Sequence, residues 1–112
     1  MRSDQLLIQD IIEAAQRIDS YTSGITYDSF IASDMVKDAV VRNFEIIGEA
    51  SGRLSDSLQQ KHNSIEWRKL KAFRNLLIHQ YFGVDYALVW DIIQNFMPTT
   101  LAQLQQIKAM EL

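Results

Sequence analysis

Apolar residues recur at three- and four-residue spacing through most of the chain, which is the signature of amphipathic helices. The first predicted helix runs from about Ser3 to Asp19. Leu7, Ile8, Ile11, Ile12, Ala15 and Ile18 form its apolar stripe, with Gln9, Asp10, Glu13 and Arg17 opposite. Residues 20–29 are rich in hydroxyl side chains and glycine and read as a connection, with room for one short turn near Phe30. Ser33 is placed to cap a second, longer helix carrying Met35, Val36, Ala39, Val40, Phe44, Ile46, Ile47 and Leu54 down to about Leu58. Gly48 and Gly52 lie inside it, each costing about 1 kcal/mol against alanine, so the helix either meets a neighbour closely or bends there.

Ser64 is the next candidate cap, opening a third helix through Trp67, Leu70, Phe73 and Leu77 that stops where Gly83 can turn left-handed. Asp85 starts a fourth, with Leu88, Val89, Ile92, Ile93 and Phe96, which ends at Pro98. That proline suits the first turn of a fifth helix bearing Leu101, Leu104 and Ile107. The expected fold is all-α, an up-and-down bundle of four to five helices, and no repeat or linker divides residues 1–112 into more than one domain.

Composition agrees with a globular protein: 47% of the 112 residues are hydrophobic and 22% charged. No apolar run approaches the roughly 20 residues that cross a bilayer, and no signal-peptide stretch follows Met1, so no membrane association and a cytoplasmic location are expected. The absence of cysteine excludes disulfides, thiol catalysis and thiolate metal sites. A net charge of −3 argues against coating nucleic acid by bulk attraction, but Arg68, Lys69, Lys71 and Arg74 crowd together and concentrate positive potential. The same cluster also suits a solvated helix face.

One constellation has chemical content: Arg74, Asn75, His79 and Tyr81. At about 100° per residue, with Arg74 at zero, Asn75 falls near 100° and His79 near 140°, so those two share a face that Arg74 flanks. Tyr81 follows near the end of the same helix. Such a set can cleave RNA without metal: a base takes the ribose 2′-OH proton and a cation stabilises charge building on phosphorus. Imidazole titrates near neutral pH, and guanidinium offers a planar fork to phosphate oxygens. Asn75 can orient His79 or bond the phosphate. Taken without further context, an Arg and a His on a helix are more often an ordinary surface pair or partners of the helix C-terminus.

The spacing Arg74-x-x-x-x-His79-x-Tyr81 resembles the R-x-x-x-x-H-x-Y signature of HEPN toxins, including the polar residue directly after the arginine. Upstream, Asp38-Ala39-Val40-Val41-Arg42-Asn43-Phe44-Glu45-Ile46-Ile47-Gly48-Glu49-Ala50 is similar to the long-helix segment of that superfamily, and Trp67-Arg68-Lys69-Leu70 to the approach to its motif. Tyr81-Phe82-Gly83-Val84-Asp85, then Val89-Trp90 and Pro98, continue the pattern, so the likeness covers about residues 28–100. It implies a HepT-like toxin: a homodimer whose paired Arg74 and His79 cut RNA without a metal or other cofactor, aided by Asn75. It also implies a minimal nucleotidyltransferase antitoxin as partner, which silences the toxin by placing AMP on Tyr81. The rival expectation is a noncatalytic helical module that uses the same patch to hold a nucleotidyltransferase or a nucleotide; a third is a nuclease without a partner.

The other candidates have plainer readings. Glu45 and Glu49 with His62 lack metal-ligand spacing, and the two carboxylates are expected to be solvated or paired with Arg42 and Arg53. His62 lies in a polar loop and reads as a surface residue. Trp67, Phe73, Trp90 and Phe96 at helical spacing read as core, with Phe82 alone near enough to the motif to stack on a base. No glycine-rich phosphate loop follows a strand, and no serine or threonine nucleophile has a recognisable histidine partner, so kinase, hydrolase and dehydrogenase readings lack support.

Overall fold

A computed structural model describes residues 2–76 and 83–111. Helix α1 (Asp4–Thr22) begins where the Ser3 hydroxyl accepts the Leu6 N–H at 3.2 Å. Its expected stripe is buried, joined by Ala14 and Thr22. The helix runs about a turn past the expected end, because the Thr22 hydroxyl donates to the Ile18 carbonyl at 2.8 Å and needs no water inside the protein. Gly24, at φ 78°, then reverses the chain into α2 (Tyr27–Ala32), a single short helix that buries Phe30. The Phe30 ring lies 5.1 Å from Trp90 and edge-on to Tyr86 at 6.2 Å, which anchors the connection to the far end of the chain.

Ser33 ends α2 and caps α3 (Asp34–Arg53), accepting the Val36 N–H at 3.1 Å. Helix α3 is the centre of the bundle: Val40, Phe44 and Ile47 are fully buried. It stops at Arg53 and not near Leu58 as expected. Leu54 and Ser55 are extended, and Ser55 caps a separate short helix, α4 (Asp56–Lys61), by accepting the Leu58 N–H. The break is set by α1. The Asp4 carboxylate receives both the Ser55 N–H, at 3.0 Å, and its hydroxyl, at 2.5 Å, and a continuing helix would withdraw both donors.

The third expected helix also begins differently. Ser64 caps no helix among the described residues; α5 (Trp67–Ala72) starts after Glu66, without a side-chain cap. The chain from His62 to Ile65 instead forms a turn fastened by the buried Ile65 and by the Trp67 indole N–H, which donates to the His62 carbonyl at 3.0 Å. After Ala72 the helix tightens into a 3-10 turn over Phe73–Leu76. The rest of the expected third helix, Leu77 onward through Phe82, lies outside the described residues. Gly83 has φ 75°, the left-handed conformation expected of it.

Asp85 caps α6 (Tyr86–Asp91), accepting the Leu88 N–H at 3.1 Å. The chain does not break at Pro98. It passes through a π-helical stretch at Ile92–Phe96 straight into α7 (Met97–Glu111). Proline has no N–H, and its ring crowds the carbonyl four residues back, here Gln94. A wider π turn, in which the Met97 N–H reaches the Ile92 carbonyl, relieves that crowding without ending the helix. Among the described residues there is no strand and no helix long and apolar enough to cross a membrane. The fold is an all-α bundle in which α1 packs along α3 and α7, and the 3-10 turn seats on α3.

Candidate functional site

Arg74 and Asn75 lie on the 3-10 turn, and both are exposed. The residue before them holds the turn in place. Phe73 is 3% exposed, meeting Phe44 of α3 edge-on at 4.9 Å and Phe96 of the π stretch at 5.9 Å and 90°. Lys69 stacks its ammonium over the other partner, 4.2 Å from the Phe96 ring centre. Three segments distant in sequence are thus joined at one aromatic cluster, directly under Arg74.

Gly48 completes the seat. A Cβ at this position would come within 2.9 Å of the Arg74 Cβ and 3.0 Å of its Cα, and closer still to its backbone nitrogen. Of the two explanations open for this glycine, close approach is therefore the right one. At Gly52 a Cβ would meet nothing within 4 Å. The 3-10 turn also changes the geometry expected around Arg74. With three residues per turn, Arg74 and Asn75 project about 120° apart, so an α-helical wheel does not extend beyond Ala72. His79 and Tyr81 lie outside the described residues.

Asn75 borders a groove of about 440 Å³ between the turn and α6, with Ala72, Val84, Leu88 and Ile92 as apolar walls and Lys69, Asp85 and Asp91 at its edges. Leu88 is half exposed there. Sequence patterning marks neither this groove nor the aromatic seat, because both join residues from separate helices. The only sequence signal for the seat is a glycine inside a helix that otherwise favours stronger helix formers.

The remaining candidates fall into place. Glu45 pairs with Arg42 at 3.3 Å and Glu49 with Arg53 at 3.6 Å, as their spacing suggests. Trp67 and Phe73 are buried, and Trp90 and Phe96 are half-buried against the core. His62 is not the surface residue expected: its side chain is 10% exposed, with Nε2 2.9 Å from Glu111 Oε1. Lys61 reaches the same oxygen at 2.8 Å. The hydrogen bond from Lys61, then that from His62, holds the Glu111 carboxyl below its ordinary pKa. This cluster fastens the end of α7 to α4.

A family model described as "Ribonuclease HepT-like" matches residues 11–107, which spans the Arg74 turn and the whole aromatic seat. "Putative RNase MJ1380" of Methanocaldococcus jannaschii is 38% identical over 97 residues, covering 87% of this chain and 89% of the relative. "Probable ribonuclease HepT" of Thermococcus cleftensis is 33% identical over 107 residues, covering 96% of this chain and 97% of the relative. "Putative RNase TTE0752" of Caldanaerobacter subterraneus subsp. tengcongensis is 30% identical over 107 residues, covering 96% of each. No solved structure matches the chain significantly.

Proposed function

The chain belongs to the HepT-like ribonuclease family of the HEPN superfamily, and from that premise we propose that it is a metal-independent endoribonuclease acting as the toxin of a toxin-antitoxin pair. The observation that carries this reading is Arg74, exposed at the tip of a turn clamped from below by Phe73 and Gly48, five residues before His79. A cation that must meet a phosphate needs a fixed base and an exposed head, and among the described residues Arg74 has both.

In the proposed reaction His79 takes the proton of a ribose 2′-OH, and the freed oxygen attacks the adjacent phosphorus. The new O–P bond forms as the bond to the 5′-oxygen of the next nucleotide breaks, and that oxygen leaves with a proton. The guanidinium of Arg74 stabilises the charge that gathers on the non-bridging oxygens. Asn75 orients the imidazole or donates to the phosphate. The active form is a homodimer in which two such sites face one RNA strand. A partner nucleotidyltransferase silences the toxin by transferring AMP from ATP to the Tyr81 hydroxyl with release of pyrophosphate, adding a negative and bulky group where an RNA phosphate binds.

The test is cleavage of total RNA in EDTA by protein whose intact mass excludes AMP, comparing wild type with His79→Ala and Arg74→Ala, all of native helicity. Cleavage by wild type alone is expected. Cleavage that persists in His79→Ala overturns the assignment, and an unmodified wild type that binds RNA or a nucleotidyltransferase without cutting makes the chain a binding module.

A further inference from the structure

The segment that leads into the site repeats with period three: Trp67-Arg68-Lys69, Leu70-Lys71-Ala72, Phe73-Arg74-Asn75. Residues three apart form a ridge along a helix, and a 3-10 turn brings them further into line. The fold uses all three ridges differently. Trp67, Leu70 and Phe73 are buried in the core. Lys69, Ala72 and Asn75 line one side of the groove. The middle ridge is Arg68, Lys71 and Arg74, with both arginines exposed and Lys71 half-buried.

Arg2, Lys37, Arg42, Arg53 and Lys61 each pair with a carboxylate. Among the described residues Arg68, Lys71 and Arg74 have no such partner. Arg17, Lys69 and Lys108 also lack a carboxylate partner among the described residues, but only Arg68, Lys71 and Arg74 stand in one row. No acid stands between Glu66 and Asp85, in a protein of net charge −3. Unpaired cations in a row on an acidic protein are held apart from the carboxylates that would neutralise them, and they keep their charge for a ligand.

We propose that Arg68 and Lys71 form a phosphate track that holds the RNA strand beside Arg74, taking backbone phosphates adjacent to the one that is cut. The proposal rests on the ribonuclease reading and extends it to two further substrate-binding residues. From Arg68 to Arg74 the ridge spans about 9 to 12 Å, with long side chains at each end, which suits neighbouring phosphates of an extended strand. Asp85 and Asp91 at the groove edge repel phosphate and keep the backbone on the ridge. Phosphate contacts position a strand and carry no base preference, so the track accepts single-stranded RNA of any sequence.

The test uses full-length, AMP-free protein of native helicity: wild type, Arg68→Gln, Lys71→Gln, the double variant, and Arg17→Gln with Lys108→Gln as controls. Binding of a fluorescent single-stranded RNA is followed from low to high salt, and KM and kcat are measured on the same RNA. In the ridge variants the slope of log affinity against log salt is expected to fall by about 0.7 for each phosphate that is no longer neutralised, with KM raised and kcat kept. The controls keep the wild-type slope. Wild type that cuts RNA while the double variant keeps its slope and KM overturns the track alone. Wild type that binds RNA without cutting overturns the ribonuclease reading, and the track then stands on the slopes. No RNA binding by wild type overturns both.

Discussion

Gly48 and Arg74 are in backbone contact: α3 has no side chain at the point where the 3-10 turn presents its arginine, and a methyl group would sit 2.9 Å from the Arg74 Cβ. Gly48→Ala is therefore expected to destabilise by about 1–3 kcal/mol, because the turn must shift to admit the methyl. RNA cleavage is expected to fall by more than the loss of folded protein explains. Gly52→Ala, four residues on in open space, should stabilise by up to about 1 kcal/mol through helix propensity. Urea unfolding of the two variants checks the opposite signs; equal effects would mean that the close approach under Arg74 does not matter.

Phe73 joins α3, the 3-10 turn and the π stretch through two edge-on aromatic contacts. Phe73→Ala should cost about 3–5 kcal/mol by transfer and cavity terms together. Phe73→Leu keeps most of the apolar volume and should fold, while leaving Arg74 less well fixed. The measurement is kcat for the leucine variant at a temperature where it remains fully helical, with a clear fall expected.

Ser64 is the cap expected from sequence, but Ser55, expected inside a helix, is the residue that caps here, and it also bonds Asp4 across the bundle. Ser55→Ala is expected to lose about 1–2 kcal/mol, and Ser64→Ala to stay within about 0.5 kcal/mol of wild type. A double-mutant cycle with Asp4→Ala should show coupling for Ser55, and its absence would count against α1 as the cause of the break after Arg53.

Glu111 is bound by Lys61 and His62, and its carboxyl titrates below the ordinary value of 4.5. A group whose pKa is lower in the folded protein adds stability above its unfolded pKa and loses it as pH falls through the folded one. Wild type should thus be more stable than Glu111→Gln at neutral pH, and the two should converge as pH drops below about 4.5. Thermal melts from neutral to acid pH check this. A constant gap across that range would show that the carboxylate charge is not what holds the end of α7.

Much of the bundle is legible residue by residue. The α1 stripe, the Ser3, Ser33 and Asp85 caps and the positive φ of Gly83 follow from local spacing and from side chains that bond their own backbone a few residues away. Arg74 and Asn75 are also legible, through motif spacing, and they emerge exposed on the turn. These features depend on interactions within one or two helical turns, which the order of residues encodes directly.

Tertiary structure decided the rest. The break after Arg53 depends on Asp4, 51 residues from Ser55, and the fastening of His62 on Glu111, 49 residues away. The seat of Arg74 depends on Gly48 of one helix and on Phe44 and Phe96 of two separate segments. Periodicity along one stretch of sequence reports which face of a helix is apolar; it carries no information about which distant donor, ring or glycine that face will meet. Those meetings, set by close packing, converted an ordinary helix end into a clamped turn with an exposed arginine.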